Sequence, residues 1–441
     1  MEKTYFHSVT LDAEKCKGCT NCIKRCPTEA IRVRNGKAQI IKERCIDCGE
    51  CIRVCPYRAK KAVTDPFDKI HNYKYKIALP APSLYGQFNQ LKDINVVLNG
   101  LKEIGFDDVY EVARAAEIVT IATKDLMFQK KLNYPVISTA CPAVVRLIRV
   151  RFPNLISHLL PLLSPMEVAA KLAKKEAIEK TGIKEEEIGA FFISPCAAKA
   201  TVIKDPLGQG KSSVDGAISI ADVYMRLVPA MNKLTKVERL ARAGLKGVGW
   251  ANSGGEAYAL GHDEYIAVDG IDNVIKVLEG LENEQLPQVK FIEAGACIGG
   301  CVGGPLAVEN GFVAETKIKL LTKTLTSYET EKEFPCIDIE DISFNKDIEH
   351  LPVMKLDSDM AEAIKKMDKI ECIYNSLPKL DCGSCGAPSC RALAEDIVCG
   401  DGKEMDCVYK LRERVFAFAR EAVDIRENIT NSIEDTDKNQ I

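Results

Sequence analysis

Cys297 and Cys301 close an apolar run, Phe291 to Pro305, with three residues between them and Gly299, Gly300, Gly303 and Gly304 around them. The gap differs from the two-residue gap of a zinc finger, and the glycines let backbone approach a bulky group. Two more cysteines share this setting. Cys141 follows Val136-Ile137-Ser138-Thr139-Ala140, and Cys196 follows Phe191-Phe192-Ile193-Ser194-Pro195, each a short β-prone run that ends on a thiol. Ligand sites of parallel α/β sheets lie beyond the carboxyl ends of strands. The pattern therefore predicts that Cys141, Cys196, Cys297 and Cys301 converge as one four-thiolate metal site. A lone buried cysteine is ordinarily a small hydrophobe, so the argument rests on their number and matched contexts.

Residues 16 to 56 carry Cys-x2-Cys-x2-Cys-x3-Cys-Pro twice: Cys16, Cys19, Cys22, Cys26 with Pro27, then Cys45, Cys48, Cys51, Cys55 with Pro56. This is the spacing of two 4Fe-4S clusters in an electron relay, in which the fourth cysteine of each run ligates the other cluster. One cluster would take Cys16, Cys19, Cys22 and Cys55; the other would take Cys45, Cys48, Cys51 and Cys26. Between Lys15 and Lys61 there are 13 Lys/Arg against 4 Asp/Glu. Part of that excess offsets the negative clusters; the rest is either a solvated face or a docking surface for an acidic electron-transfer partner such as a ferredoxin. Near the C-terminus Cys382, Cys385, Cys390 and Cys407 form a further candidate set, with Cys399 competing for the fourth place. Soft thiolates suit a cubane or zinc, and no histidine is nearby. Cys336 and Cys372 read as structural thiols.

What must position these groups follows from the rest of the chain. Its 441 residues suggest about three domains, and 46% hydrophobic content is ample for globular cores. A net charge of −3 supplies no global field for nucleic acid. No apolar run approaches the roughly 20 residues that span a bilayer, and the first residues lack a signal pattern, so a cytoplasmic protein is expected. In a reducing compartment 19 cysteines read as metal ligands rather than disulfides. After a polar connector, Thr64 to Tyr75, strand-like runs at Tyr75 to Leu79, Asp108 to Glu111, Pro135 to Thr139, Ala190 to Ser194, Ala217 to Ile220, Lys246 to Ala251 and Val289 to Glu293 alternate with helical patterns. That alternation predicts an α/β fold with parallel sheets covered by helices. Met166 to Thr181 is the clearest helix, with Val168, Leu172 and Ile178 on one side, and Asp205 to Asp215 reads as a connecting loop. The domains expected are a two-cluster domain at 1–64, a catalytic domain at 65–350, an iron–sulfur module at 351–412 and a terminal helix at 413–441.

The three thiol-bearing segments resemble, in order, the three signature motifs of the FeFe hydrogenases. Further similarity lies at Ala81-Pro82-Ser83, Gly105-Phe106-Asp107 and Ser253-Gly254-Gly255-Glu256-Ala257. The resemblance implies an H-cluster: a cubane on the four cysteines, joined through Cys301 to a diiron unit that carries carbonyl, cyanide and a bridging dithiolate. Lys199 falls where the family places a lysine that donates to an iron-bound cyanide, and Ala81, Pro82 and Ser83 fall on the diiron cradle. The C-terminal cysteines resemble the 4Fe-4S module of electron-bifurcating and corrinoid-linked proteins, with Cys407 the better fourth ligand.

Departures from the family pattern shape the expected function. Ala140 replaces the proton-transfer cysteine, Ser194 and Gly295 replace methionines, and Ala122 and Thr123 stand where acidic residues continue the proton path. Loss of a positioned acid–base group lowers rate roughly 100- to 10,000-fold, which implies slow turnover. Glu293 is either a carboxylate near the cluster or a capping group; Ser194, Ser138 or water could relay protons. From Lys403 to Glu434, Val408, Leu411, Val415, Phe418, Ala422, Ile425 and Ile429 form a seam of about three heptads, for packing within the chain or for a homodimer. This combination resembles the sensory, low-turnover FeFe hydrogenases, whose signal would pass to a partner. The alternative is a hydrogenase-like protein that binds cubanes without the diiron unit, for electron transfer or cluster assembly.

Overall fold

The computed structural model describes residues 6–261, 263–325, 338–353 and 355–438, with side chains described up to 426. Cys336 and Ile429 therefore lie outside the described side chains. The chain is mixed α/β and falls into two compact units, Met1–Asp12 with Lys42–Val353, and Ala13–Ile41 with Met354–Ile441.

In the first unit a four-stranded parallel sheet has the order Asp108–Val109, Tyr75–Pro80, Ile188–Ser194, Gly216–Ser219. Ile188–Ser194 is buried along its whole length, which is why it reads as an unbroken apolar run rather than an alternating one. A separate three-stranded parallel sheet has the order Tyr265–Asp269, Phe291–Gly295, Val136–Ile137. The strands before Cys141 and Cys297 therefore share one sheet, while the strand before Cys196 belongs to the other. Val9–Leu11 pairs antiparallel with Lys60–Ala62.

Two expectations are corrected. Lys246 to Ala251 is not a strand: Leu245–Gly249 is a short helix. The carboxylate of Glu117, from the helix Val112–Phe128, accepts from the Gly244 and Gly247 N–H groups, and a Cβ at Gly247 would collide with the Ala113 carbonyl. These partners lie over 100 residues away in sequence, so local β-propensity loses. The helix Pro165–Thr181 forms as expected, but its buried face is lined by Ala169, Ala170, Ala173 and Ala177 beside Val168, whereas Ile178 is exposed. Alanines allow close approach to Val112–Phe128, against which this helix packs.

The second unit holds the first cysteine run, the antiparallel hairpin Ile31–Arg34 with Lys37–Ile40, the helices Met360–Ser376 and Cys390–Cys399, and the terminal helix Val408–Lys438. The hairpin is clamped to the C-terminal module. Arg32 Nε donates to both oxygens of Asp396, at 3.0 and 2.7 Å, and Arg34 Nη2 donates to Asp396 Oδ2 at 2.5 Å. The Val33 N–H donates to the Gly386 carbonyl at 2.7 Å, and a Cβ at Gly386 would collide with the Val33 carbonyl.

Candidate functional site: a thiolate-lined cavity

Each motif cysteine stands where an element begins or ends. Cys141 is the N-cap of the helix Pro142–Arg151 and Cys196 that of Ala197–Lys204, so both thiols sit at positive helix ends, which favour thiolates. Cys301 opens a short 3₁₀ turn after Gly300, whose φ of 88° suits glycine. A Cβ at Gly304 would collide with the Pro195 carbonyl, so the Cys301 turn lies directly against the turn that carries Cys196.

The four cysteines line one cavity, with an empty volume of about 980 Å³, together with Ala81, Pro82, Ala140, Lys199, Gly295, Glu256 and Glu293. Lys199 Nζ lies 3.7 Å from Cys301 Sγ. Burial opposes the Lys199 charge, yet Cys301, Cys196, Cys141 and Cys297 together raise its pKa. Burial pushes the Cys196 thiol up to about 12 and Cys297 up to about 11, and it raises Cys141 as well. Bound iron would therefore have to drive deprotonation here. Among the described residues, no three of these sulfurs lie within 4.8 Å of one another. Four sulfurs on one tetrahedral zinc would be about 3.8 Å apart, so the wider spacing suits a cluster. Asn252 Oδ1 on the cavity wall and Ser83 Oγ, one residue past the lining Pro82, are buried with no hydrogen-bond partner among the described residues, and the Asn252 oxygen can face a polar guest. The donor set and these orphaned atoms fit an H-cluster.

The remaining site candidates take different places. Ser194 Oγ donates to the Cys196 carbonyl at 2.8 Å and accepts from the Cys196 N–H, so it shapes its own turn. Thr123 Oγ1 donates to the Val119 carbonyl inside its helix, and Ala122 is buried there. Glu293 both lines the cavity and caps the helix Gly255–Leu260, accepting from the Gly254 and Ala257 N–H groups at 2.8 Å each. Two residues acquire a place that sequence did not assign: Glu256, as the partner of the expected relay Ser138, and Arg53. Ser138 Oγ donates to Glu256 Oε2 at 2.6 Å and accepts from the Ala140 N–H at 3.2 Å. Burial first, and Glu293 second, push the Glu256 carboxyl up to about 8. The second is Arg53, whose Nη2 donates to Cys297 Sγ at 3.0 Å.

In the second unit Cys390 and Cys407 are buried, Cys385 is half-buried and Cys382 is exposed. Cys382 and Cys407 both act on the Cys385 thiol, which burial raises, whereas the exposed Cys399 faces Lys366.

Residues 74–261 and 231–305, together more than half of the chain, match the family described as iron only hydrogenase large subunit, C-terminal domain. Residues 8–56 match a 4Fe-4S dicluster domain and 377–409 a putative Fe-S cluster family. The fold and site thus define an iron–sulfur protein with a hydrogenase-type domain. The chain belongs to the iron-only, or FeFe, hydrogenase large-subunit family. It is similar to the periplasmic Fe hydrogenase large subunit of Nitratidesulfovibrio vulgaris, 30% identical over 213 residues, which are 44% of this chain and 50% of that protein. Iron hydrogenase 1 of Clostridium pasteurianum is 22% identical over 370 residues, 67% of this chain and 64% of that one. The chain thus spans about half to two thirds of the length of these relatives. Among solved structures, an apo FeFe-hydrogenase HydA1 from Chlamydomonas reinhardtii aligns with a TM-score of 0.45 at 15% identity, covering 58% of this chain and 86% of that one. No described helix is long and apolar enough to cross a membrane.

Proposed function

We propose that the protein is a slow FeFe hydrogenase that serves as a hydrogen or redox sensor. Cys141, Cys196, Cys297 and Cys301 would hold a cubane, Cys301 would bridge to the diiron unit, and Ala81, Pro82, Ser83 and Lys199 would cradle that unit. When bound, the H-cluster supplies the centre at which H2 is split or formed. The observation that carries this reading is the convergence of four cysteines from three segments around the buried cation of Lys199.

The chain's own groups account for slowness. Ala140 lines the cavity with a methyl group, which holds no proton. On the same cavity wall, the Ser138 hydroxyl and the Glu256 carboxyl form a hydrogen-bonded pair able to do so. Burial and Glu293 raise the Glu256 carboxyl toward the neutral range that suits proton exchange, but no thiol stands at position 140 to work with this pair. Cys16 to Cys55 and Cys382, Cys385, Cys390 and Cys407 would carry the 4Fe-4S clusters that exchange electrons with an iron–sulfur partner such as a ferredoxin. The terminal helix supports a homodimer and a signalling partner: Val408, Leu411, Val415, Phe418 and Ile425 are all about half exposed or more. Ser194 and Gly295, where the family has methionines, favour a second reading, a cubane-only electron-transfer or assembly protein.

Isotope exchange separates the two. Protein loaded with a diiron precursor should form HD slowly from H2 in heavy water, and protein holding cubanes alone should form none. Exchange by neither form would leave the second reading, and equal exchange by both would contradict the assignment of the chemistry to the diiron unit.

A further inference from the structure

Arg53 ends the helical turn Glu50–Arg53 within the second cysteine run. Its Nη2 donates to Cys297 Sγ at 3.0 Å, a tighter approach than that of Lys199 to Cys301. The side chain is about three quarters buried, its Nε is buried with no partner, and the Glu50 carboxylate stands 3.5 Å away. Burial opposes the guanidinium charge, while Cys297 and Glu50, and more weakly Cys48, reinforce it. The turn cannot drift, because a Cβ at Gly49 would collide with the Pro305 side chain, at the end of the Cys301 segment.

A thiolate that accepts a charge-assisted hydrogen bond gives less electron density to its iron, and a fixed cation in a dry site favours the more negative, reduced cluster. Hydrogen bonds to sulfur and net charge are among the factors that set cluster potentials. We propose that Arg53 is a positioning residue that raises the reduction potential of the cubane on Cys141, Cys196, Cys297 and Cys301. This rests on the cubane reading above. Lys199 and Arg53 divide the work: the first faces the bridging thiolate Cys301, the second the thiolate of Cys297.

The test is an EPR-monitored redox titration of the full chain reconstituted with iron and sulfide, without the diiron unit. The relevant cubane is the one whose signal disappears in the double variant Cys141→Ser with Cys301→Ser. Arg53→Gln should lower its midpoint by at least one tenfold step in the reduction equilibrium, ~59 mV for one electron. Arg53→Lys, which keeps the charge, should recover most of that shift. The other cluster signals report that each variant is folded. An unchanged midpoint in Arg53→Gln overturns the proposal, as does loss of that cubane alone, which would make Arg53 a pin for the ligand. Absence in the unmodified chain of any signal that depends on Cys141 and Cys301 would instead overturn the cubane reading itself.

Discussion

The cavity of the first unit and the C-terminal cysteine set of the second are both built from four cysteines, and they use charge in opposite ways. Around Cys141, Cys196, Cys297 and Cys301 the buried cations face sulfur: Lys199 faces Cys301 and Arg53 faces Cys297. Around Cys382, Cys385, Cys390 and Cys407 the buried cations Arg32 and Arg34 face a carboxylate, Asp396, which holds the hairpin to the module. In the first region burial raises Cys141, Cys196 and Cys297; in the second burial raises Cys385, while a hydrogen bond from Ser384 lowers the exposed Cys382. The first arrangement sets cations against candidate metal ligands, and the second holds the hairpin to the module.

The largest difference should come from the sulfurs themselves. Cys301→Ser should abolish hydrogen exchange, whereas Cys385→Ser should remove one cluster's worth of iron and leave exchange in the loaded protein detectable. Equal loss in both would erase the distinction. Removing the clamp comes next. Asp396→Ala leaves the buried Arg32 uncompensated beside the part-exposed Arg34, at a cost of about 3–5 kcal/mol, seen as a lower denaturant midpoint with the carbonyl bands of the diiron unit unchanged. Ala140→Cys restores a thiol at the cavity wall, and hydrogen evolution should rise by roughly 100-fold, the lower end of what a positioned acid–base group contributes. An unchanged rate would mean that another step limits.

The smallest effect concerns pH. The Glu256 carboxyl is raised to about 8, so the fold favours its protonated form. Its contribution to stability is full below the unfolded value of about 4.3 and is lost as pH rises through about 8. Glu256→Gln should flatten the decline of thermal stability between those limits, and a slope identical to that of the unmodified chain would contradict a raised Glu256 carboxyl.

Much of this architecture was legible because parallel strands buried on both faces leave unbroken apolar runs, as at Ile188–Ser194, and because thiols at strand ends repeat a context. The edge strand Tyr265–Asp269 escaped notice, being only partly buried and ending on an aspartate. The alanine face of Pro165–Thr181 is invisible to a count of large apolar residues. Arg53 and Cys297 are 244 positions apart, and Ser138 and Glu256 are 118 apart. Nothing local marks either pair, since Arg53 is one of many basic residues in its segment and Glu256 one residue of a matched stretch.

Infrared spectroscopy of the full chain after loading with the diiron precursor tests the central assignment most directly. Metal carbonyl and cyanide bands that appear in the unmodified chain and vanish in Cys301→Ser are the predicted result. A folded, cubane-bearing protein without those bands would contradict the assignment of this cavity as a hydrogen-converting centre.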